Sequence, residues 1–210
     1  MKPINKTIRV FAPASSANLG CGFDVMGMAL DGIGDVLRIA ISEGDGLTIR
    51  NTSAAELPED IEKNVITPAV RAFMAAAGKK ACLEIVVEKK IRPGSGIGSS
   101  AASSAAAVFG LNELYGRPFP LPELVPFAME GEKLISGTAH ADNSAPAVMG
   151  GIVLIRGYQP LDMVRLPVPD SFCFSVIHPH IVVSTKAARD VLRKEIPMHE
   201  AVIQWGNVGG

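Results

Sequence analysis

The chain has 210 residues, with 20 Lys and Arg against 21 Asp and Glu for a net charge of −1, and it is 48% hydrophobic but only 5% aromatic. At about 150 residues per domain this length is one full domain and part of a second. The charge balance supplies no basic field for nucleic acid or an anionic membrane surface, and the few aromatics offer no base-stacking platform. Cys21, Cys82 and Cys173 form no C-x-x-C pair and read as reduced thiols, which places the protein in the cytoplasm. No apolar run reaches the about 18 residues of a membrane span, and the first ten residues carry no apolar signal-peptide segment.

Residues 7–11 alternate in polarity and predict a strand, with a small-residue loop over 12–24 behind it. Leu37, Ile39 and Ile41 alternate with polar or small neighbours, Gly44-Asp45-Gly46 supplies a turn, and residues 47–50 return as the partner strand of a hairpin. Over 64–77, Ile66, Val70, Phe73 and Met74 recur at i, i+4, i+7 and i+8, which predicts a helix with Gly78 at its C′ position. The β-branched run 83–88 reads as a strand that feeds a glycine- and serine-rich loop and then Ala-rich helical sequence to Leu114. Gly116, Pro118 and Pro120 end that helix, and another is expected over 122–136, with Pro126 straining its first turn. Residues 152–155, 164–166 and 172–177 read as short strands, and Ser184 as the N-cap of a helix through Lys194. The mixture predicts an α+β fold without regular βαβ alternation or internal repeats.

A strand that delivers Gly94, Gly96 and Gly98 together with Ser95, Ser99 and Ser100 onto a helix N-terminus builds an anion site. Unpaired N–H groups face outward there, and the missing Cβ atoms admit phosphate oxygens. The loop lacks the Gly-Lys-Ser/Thr of a Walker A sequence, and Ser99 stands where G-x-G-x-x-G needs its third glycine. It is not a nucleophile elbow either, since Ala101 and Ala102 follow the serine pair. The bland alternative is a flexible turn with serine caps.

Pro93-Gly94-Ser95-Gly96-Ile97-Gly98-Ser99-Ser100-Ala101-Ala102 is similar to the phosphate loop P-x-x-x-G-L-G-S-S-A-A of the GHMP small-molecule kinases, with Arg92 where that family usually has proline. Three further segments resemble the homoserine kinases within it. They are Ala12-Pro13-Ala14-Ser15-Ser16-Ala17-Asn18-Leu19-Gly20-Cys21-Gly22-Phe23-Asp24, then Gly137-Thr138-Ala139-His140-Ala141-Asp142-Asn143-Ser144-Ala145-Pro146-Ala147, and Ser184-Thr185-Lys186-Ala187-Ala188-Arg189. The resemblance implies a GHMP kinase fold: a ribosomal-S5-domain-2-like ATP-binding domain over 1–155, and a ferredoxin-like C-terminal domain, only partly present, over 156–210. It implies ATP-dependent phosphorylation of the side-chain hydroxyl of L-homoserine to O-phospho-L-homoserine, in threonine biosynthesis. ATP and Mg²⁺ are the implied cofactors, and L-homoserine is a small-molecule partner. No nucleic-acid or membrane partner is expected, and a homodimer is the expected assembly.

Homoserine carries an ammonium, a carboxylate and a hydroxyl, so a selective site needs an anion, a cation fork and a hydroxyl partner. By resemblance Asp24 meets the ammonium, Arg189 the carboxylate and Asn18 the hydroxyl, with His140 and Thr185 also on the substrate. Read without the resemblance, Asp24 is a turn carboxylate, Arg189 a solvated helix charge and His140 a loop histidine bonded to backbone. The implied catalytic set is Asn18, Asp24, Ser100 and Glu132, of which Ser100 and Glu132 resemble the metal-side pair. Glu130 and Glu132 lie two apart on one helix, so only one of them faces the phosphates; that one is taken as Glu132, and Glu130 as a solvated charge. ATP is implied to lie along residues 93–102, with Asn64 beside the adenine. His178 and His180 flank Pro179 with no carboxylate or cysteine cluster, so no zinc site is expected. Two rival readings stay open. One is a sister kinase for another alcohol such as mevalonate, against which Asp24 argues because mevalonate has no ammonium. The other is a non-catalytic nucleotide-binding module, against which the Ser100 and Glu132 pair argues.

Overall fold

A computed structural model describes residues 6–54, 57–58, 60–137, 139–177 and 185–209, with the side chains of Ser136 and 185–187 outside the description. The first strand outlasts its predicted span: β1 (Lys6–Ala17) pairs antiparallel with β2 (Met26–Ser42), slipping register at a bulge between Pro13 and Ala14. Ala12 and Ala14 are buried, so the small side chains that resembled a loop instead let the sheet receive closely packed helices. The connecting loop contracts to residues 18–25.

β2 is the spine of a six-stranded sheet ordered β3-β4-β2-β5-β6, with β1 also paired to β2. Its second half pairs with β4 (Cys82–Glu88), and Met26, Gly27 and Met28 pair with β5 (Ile152–Tyr158), on whose far side lies β6 (Leu161–Leu166). The expected hairpin between 37–41 and 47–50 does not form. β4 lies between its two halves, and β3 (Gly46–Asn51) runs parallel to β4, joined to it across α1 (Ile66–Ala76) as a single βαβ unit. The cause is apolar content: Leu83, Ile85 and Val87 are all buried and take the inner position, while the half-exposed Leu47 and Ile49 of β3 suit an edge.

α2 (Ser99–Leu114) and α4 (Ala141–Met149) lie on the sheet, and α1 and α3 (Leu121–Ser136) pack behind them. The Ala-rich α2 is buried on nearly all sides and is the axis of the core, which includes Leu37, Ile39, Phe73, Ile85, Leu111 and Leu124. Gly78, at a φ of 60°, closes α1: Lys79 N–H reaches Met74 O at 3.0 Å in the glycine-capped ending expected there. α3 runs through Pro126, and both Pro126 and Pro122, whose carbonyl loses its i+4 N–H partner, are exposed to solvent.

Some expectations differ. The run 172–177 is no strand, and Phe172, Phe174, Val176 and Ile177 are exposed. The expected boundary at 155/156 falls inside β5, and the same sheet continues to Leu166. Beyond it the described residues form α5 (Thr185–Asp190) and α6 (Met198–Gly209). α5 ends at Asp190 rather than Lys194, and Ser184, His178 and His180 lie outside the described residues.

Candidate active site

The glycine loop joins β4 to α2, with Gly94, Gly96 and Gly98 at φ 77°, 77° and 65°. These are left-handed positions that favour glycine and turn successive N–H groups to one side. The loop is tied to the sheet where Ser15 N–H donates to Ile97 O at 3.2 Å, and Ser15 Oγ donates to Asn143 Oδ1 at 2.8 Å. Pro93, Gly94 and Gly96 are exposed, Ser95 and Ile97 are half-buried, and Ala101 and Ala102 are buried under the first turn of α2. Ala101 and Ala102 thus support the helix from its packed side, whereas the exposed loop face is formed by the residues before them.

Ser100, in the first turn of α2, donates its hydroxyl to Glu132 Oε1 at 2.5 Å. The contact depends on a close approach of α3 to α2 at Gly131, where a Cβ would stand 2.2 Å from Ser104 Oγ and 2.6 Å from Val65 O. Burial pushes the Glu132 carboxyl above its ordinary range, opposed by the Ser100 hydrogen bond. Glu130 points elsewhere, to an exposed pair with Lys133. As the spacing predicts, the two glutamates face different sides of α3.

A second cluster forms around the loop after β1. Asn18 and Asp24 both have left-handed backbone, φ 58° and 60°, and Asn18 Oδ1 accepts from Asp24 N–H at 2.8 Å. The asparagine therefore shapes the turn that presents the Asp24 carboxylate. Arg189 meets that carboxylate in a two-pronged pair, Nη1 to Oδ2 at 2.8 Å and Nη2 to Oδ1 at 2.5 Å, with its guanidinium 5.5 Å from the centre of the Phe23 ring. The pair raises the pKa of Arg189. His140 Nδ1 lies 3.9 Å from Asp24 Oδ1. The side chain of Thr185 is outside the described residues, although its backbone opens α5. Asn64 is buried, and its Oδ1 accepts from Ile66 N–H at 3.0 Å and holds the first turn of α1.

The start of α4 links the two clusters, and sequence reasoning did not foresee this helix because Pro146 interrupts its pattern. Pro146 has no N–H for the carbonyl of Asp142, and that carbonyl rests on β2 where Gly27 leaves room: a Cβ at Gly27 would come within 1.6 Å of it. Asp142 is buried, which raises its carboxyl pKa against the opposing effect of His140. Tyr158 closes the far side, its hydroxyl accepting from Ala141 N–H at 3.2 Å and donating to Asp24 O at 3.3 Å. Asp142 and Asn143 lay within a segment already singled out, but nothing local marked Tyr158. Nor was there a local mark for the buried pair of Lys89 and Asp35 beneath the glycine loop. Among the described residues no group of His, Cys, Asp and Glu forms a metal cluster.

Residues 64–151 match the family model of the GHMP kinases N terminal domain. The homoserine kinases of Chlorobium phaeobacteroides and Chlorobium phaeovibrioides are 41% and 44% identical to this chain over 216 aligned residues, which is 97% of this chain and 68% of each relative. The crystal structure of homoserine kinase from Cytophaga hutchinsonii, at 44% identity, has a TM-score of 0.88 and covers 100% of this chain and 67% of that one. Mevalonate kinase of L. major, solved with R-mevalonate, shares the fold with a TM-score of 0.60 at 23% identity, over 78% of this chain and 53% of that one. Identity above 40% along nearly the whole chain, on a common fold, makes this chain a member of the homoserine kinase family of GHMP kinases.

Proposed function

We propose that this chain transfers the γ-phosphoryl group of ATP to the side-chain hydroxyl of L-homoserine, giving ADP and O-phospho-L-homoserine. The observation that carries the reading is the continuity of the site. A glycine loop on a helix N-terminus and an Asp24–Arg189 pair both meet one short segment, the start of α4: Asn143 Oδ1 accepts from Ser15 Oγ, whose N–H donates to the loop at Ile97 O, and His140 Nδ1 lies 3.9 Å from Asp24 Oδ1. The first suits a triphosphate, and the second offers opposite charges to the two ends of an amino acid.

In this reading the N–H groups of 94–98 and the positive end of α2 hold the phosphates. Asp24 takes the substrate ammonium and Arg189 its carboxylate, and Asn18, His140 and Thr185 are assigned to the same substrate by the family resemblance. Because Asp24 and Arg189 pair with each other here, a zwitterion enters by exchanging one ion pair for two. A mevalonate-type alcohol has a carboxylate for Arg189 but no cation for Asp24, and would leave that carboxylate without a partner. The oxygens of Ser100 and Glu132 fit Mg²⁺, a hard cation that takes one or two protein ligands and fills its other positions with phosphate and water. When bound, that ion neutralises charge on the β- and γ-phosphates. The loose transition state of phosphoryl transfer asks little of a base, so alignment of hydroxyl and phosphate supplies most of the acceleration. The free thiols of Cys21, Cys82 and Cys173 support a cytoplasmic setting.

The test is a coupled assay of ADP release with ATP and Mg²⁺, run on homoserine and on mevalonate. Release with homoserine and not with mevalonate is expected. Equal or preferred turnover of mevalonate overturns the substrate assignment, and tight ATP binding with no turnover of either leaves the non-catalytic reading in its place.

A further inference from the structure

Beneath the glycine loop lies an ion pair that neither the phosphate site nor the substrate cluster uses. Lys89 directly follows β4, and its side chain is 3% exposed; Asp35, on β2, is 0% exposed. The Lys89 ammonium donates to Asp35 Oδ2, to the carbonyl of Ser99 at 2.5 Å and to Ser103 Oγ at 2.8 Å. Asp35 Oδ1 accepts from Lys90 N–H at 2.9 Å and Ile91 N–H at 3.0 Å, and Oδ2 accepts from Ser103 Oγ at 3.0 Å. One carboxylate thus holds the residues entering the loop, while its ammonium partner holds the residue leaving it. Ser99 Oγ closes the neck by donating to Ile91 O at 3.2 Å.

A buried ion pair is weak evidence for stability, because desolvation offsets much of the attraction, and well-packed apolar residues often do as well. What an apolar pair cannot do is fix the position of a carbonyl and two N–H groups at once. Asp35 is anchored by β1–β2 pairing opposite Ala12, so the frame it offers is the sheet itself.

We propose that Lys89 is a positioning residue of the phosphate loop: with Asp35 it clamps both ends of the loop and the first turn of α2, setting the loop N–H groups and the Ser100 hydroxyl for the triphosphate before nucleotide arrives. The inference rests on nucleotide binding at the glycine loop, as proposed above, and adds the device that preorganises it.

The experiment measures Mg²⁺-dependent binding of a non-hydrolysable ATP analogue, binding of homoserine, and thermal melting, for the parent and three variants. Lys89→Met leaves Asp35 buried and unpaired, and is expected to lower the melting temperature and weaken analogue binding at least about tenfold, with homoserine affinity unchanged. The double variant Asp35→Asn/Lys89→Met removes both charges; its melting temperature recovers toward that of the parent while analogue binding stays weak. A clamp predicts that separation, and a merely structural pair does not. Ser103→Ala keeps both charges, removes one hydrogen bond to each, and is expected to weaken the analogue by about threefold to tenfold. Recovery of melting temperature and analogue affinity together in the double variant overturns the proposal. If that variant does not fold, parent affinity in Ser103→Ala overturns it. A parent chain that binds homoserine but no analogue overturns the nucleotide site itself, a different failure visible before any variant is made.

Discussion

Glu132 is a carboxylate held in a place that favours its neutral form. Burial raises its pKa in the fold above the unfolded value, so the protonated form is the one folding prefers. The stabilisation from that preference is fully present below the ordinary glutamate range near about pH 4.3, and it is lost as pH rises through the raised folded value. Glu132→Gln imitates the protonated form and can still accept the Ser100 hydroxyl. In metal-free buffer the variant is expected to melt above the parent at pH 7.5, with the difference vanishing near pH 4. The same substitution should abolish most Mg²⁺-dependent turnover, whereas Glu130→Gln, on the exposed face beside Lys133, should leave kcat nearly unchanged. Equal losses in the two would remove Glu132 from the metal side. Buried Asp142 has the same sign of shift and adds to the same acid-side preference.

Asp24 makes a different kind of prediction, because it holds Arg189 in the absence of substrate. Asp24→Asn removes the charge proposed to meet the substrate ammonium and releases Arg189 at the same time. For homoserine, kcat/KM is expected to fall roughly ten- to a hundredfold, corresponding to about 1.5–3 kcal/mol for a hydrogen bond to a charged group. For 4-hydroxybutyrate, which has the carboxylate but no amine, kcat/KM should hold or rise. A parallel fall for both substrates, measured as variant-to-parent ratios, would show that Asp24 acts on the hydroxyl or on the turn instead.

At the scale of elements, the site depends on how closely helices approach. α3 brings Glu132 to Ser100 only because Gly131 has no side chain against Ser104 and the carbonyl of Val65. Gly131→Ala is expected to destabilise the protein by about 1–3 kcal/mol, the ordinary range for overpacking, because one of the obstructing atoms is backbone. It should also reduce Mg²⁺-dependent turnover more than it changes homoserine binding; denaturant melts and separate kcat and KM values would show it. α4 illustrates why one element escaped the sequence pattern. A proline at its sixth position argues against a helix, yet the carbonyl that loses its partner is accommodated over Gly27, on a strand more than a hundred residues earlier.

At the scale of the whole molecule, strand order is decided by which strand carries the more apolar core-facing side into the inner position between two neighbours. Ile85, on the inner strand β4, has no exposed surface, while Ile49, facing it in parallel register on β3, is half-buried at the edge. Ile85→Ala is expected to cost about 2–5 kcal/mol and Ile49→Ala clearly less, as read by urea melts. Equal costs would be expected if the two strands were equivalent halves of a hairpin, and would contradict the observed order.

The sequence by itself determined the strand, glycine loop and helix that run from β4 into α2, the ends of α1 and α3, the opposite facing of Glu130 and Glu132, and the family. Each of these is local: a period of two or of 3.6, a glycine at a left-handed position, or a run of consecutive residues with its own chemistry. Only the tertiary structure decided that β4 separates β2 from β3, that Asp35 reaches Lys89, and that Arg189 finds Asp24. Periodicity tells which face of an element is apolar but not which element covers it, and a surface turn followed by alternating residues reads the same whether its second strand folds back or crosses over. Charges 54 and 165 positions apart carry no mutual mark in the chain; the sheet and the close contacts at Gly27 and Gly131 bring the groups of the site within reach of one another.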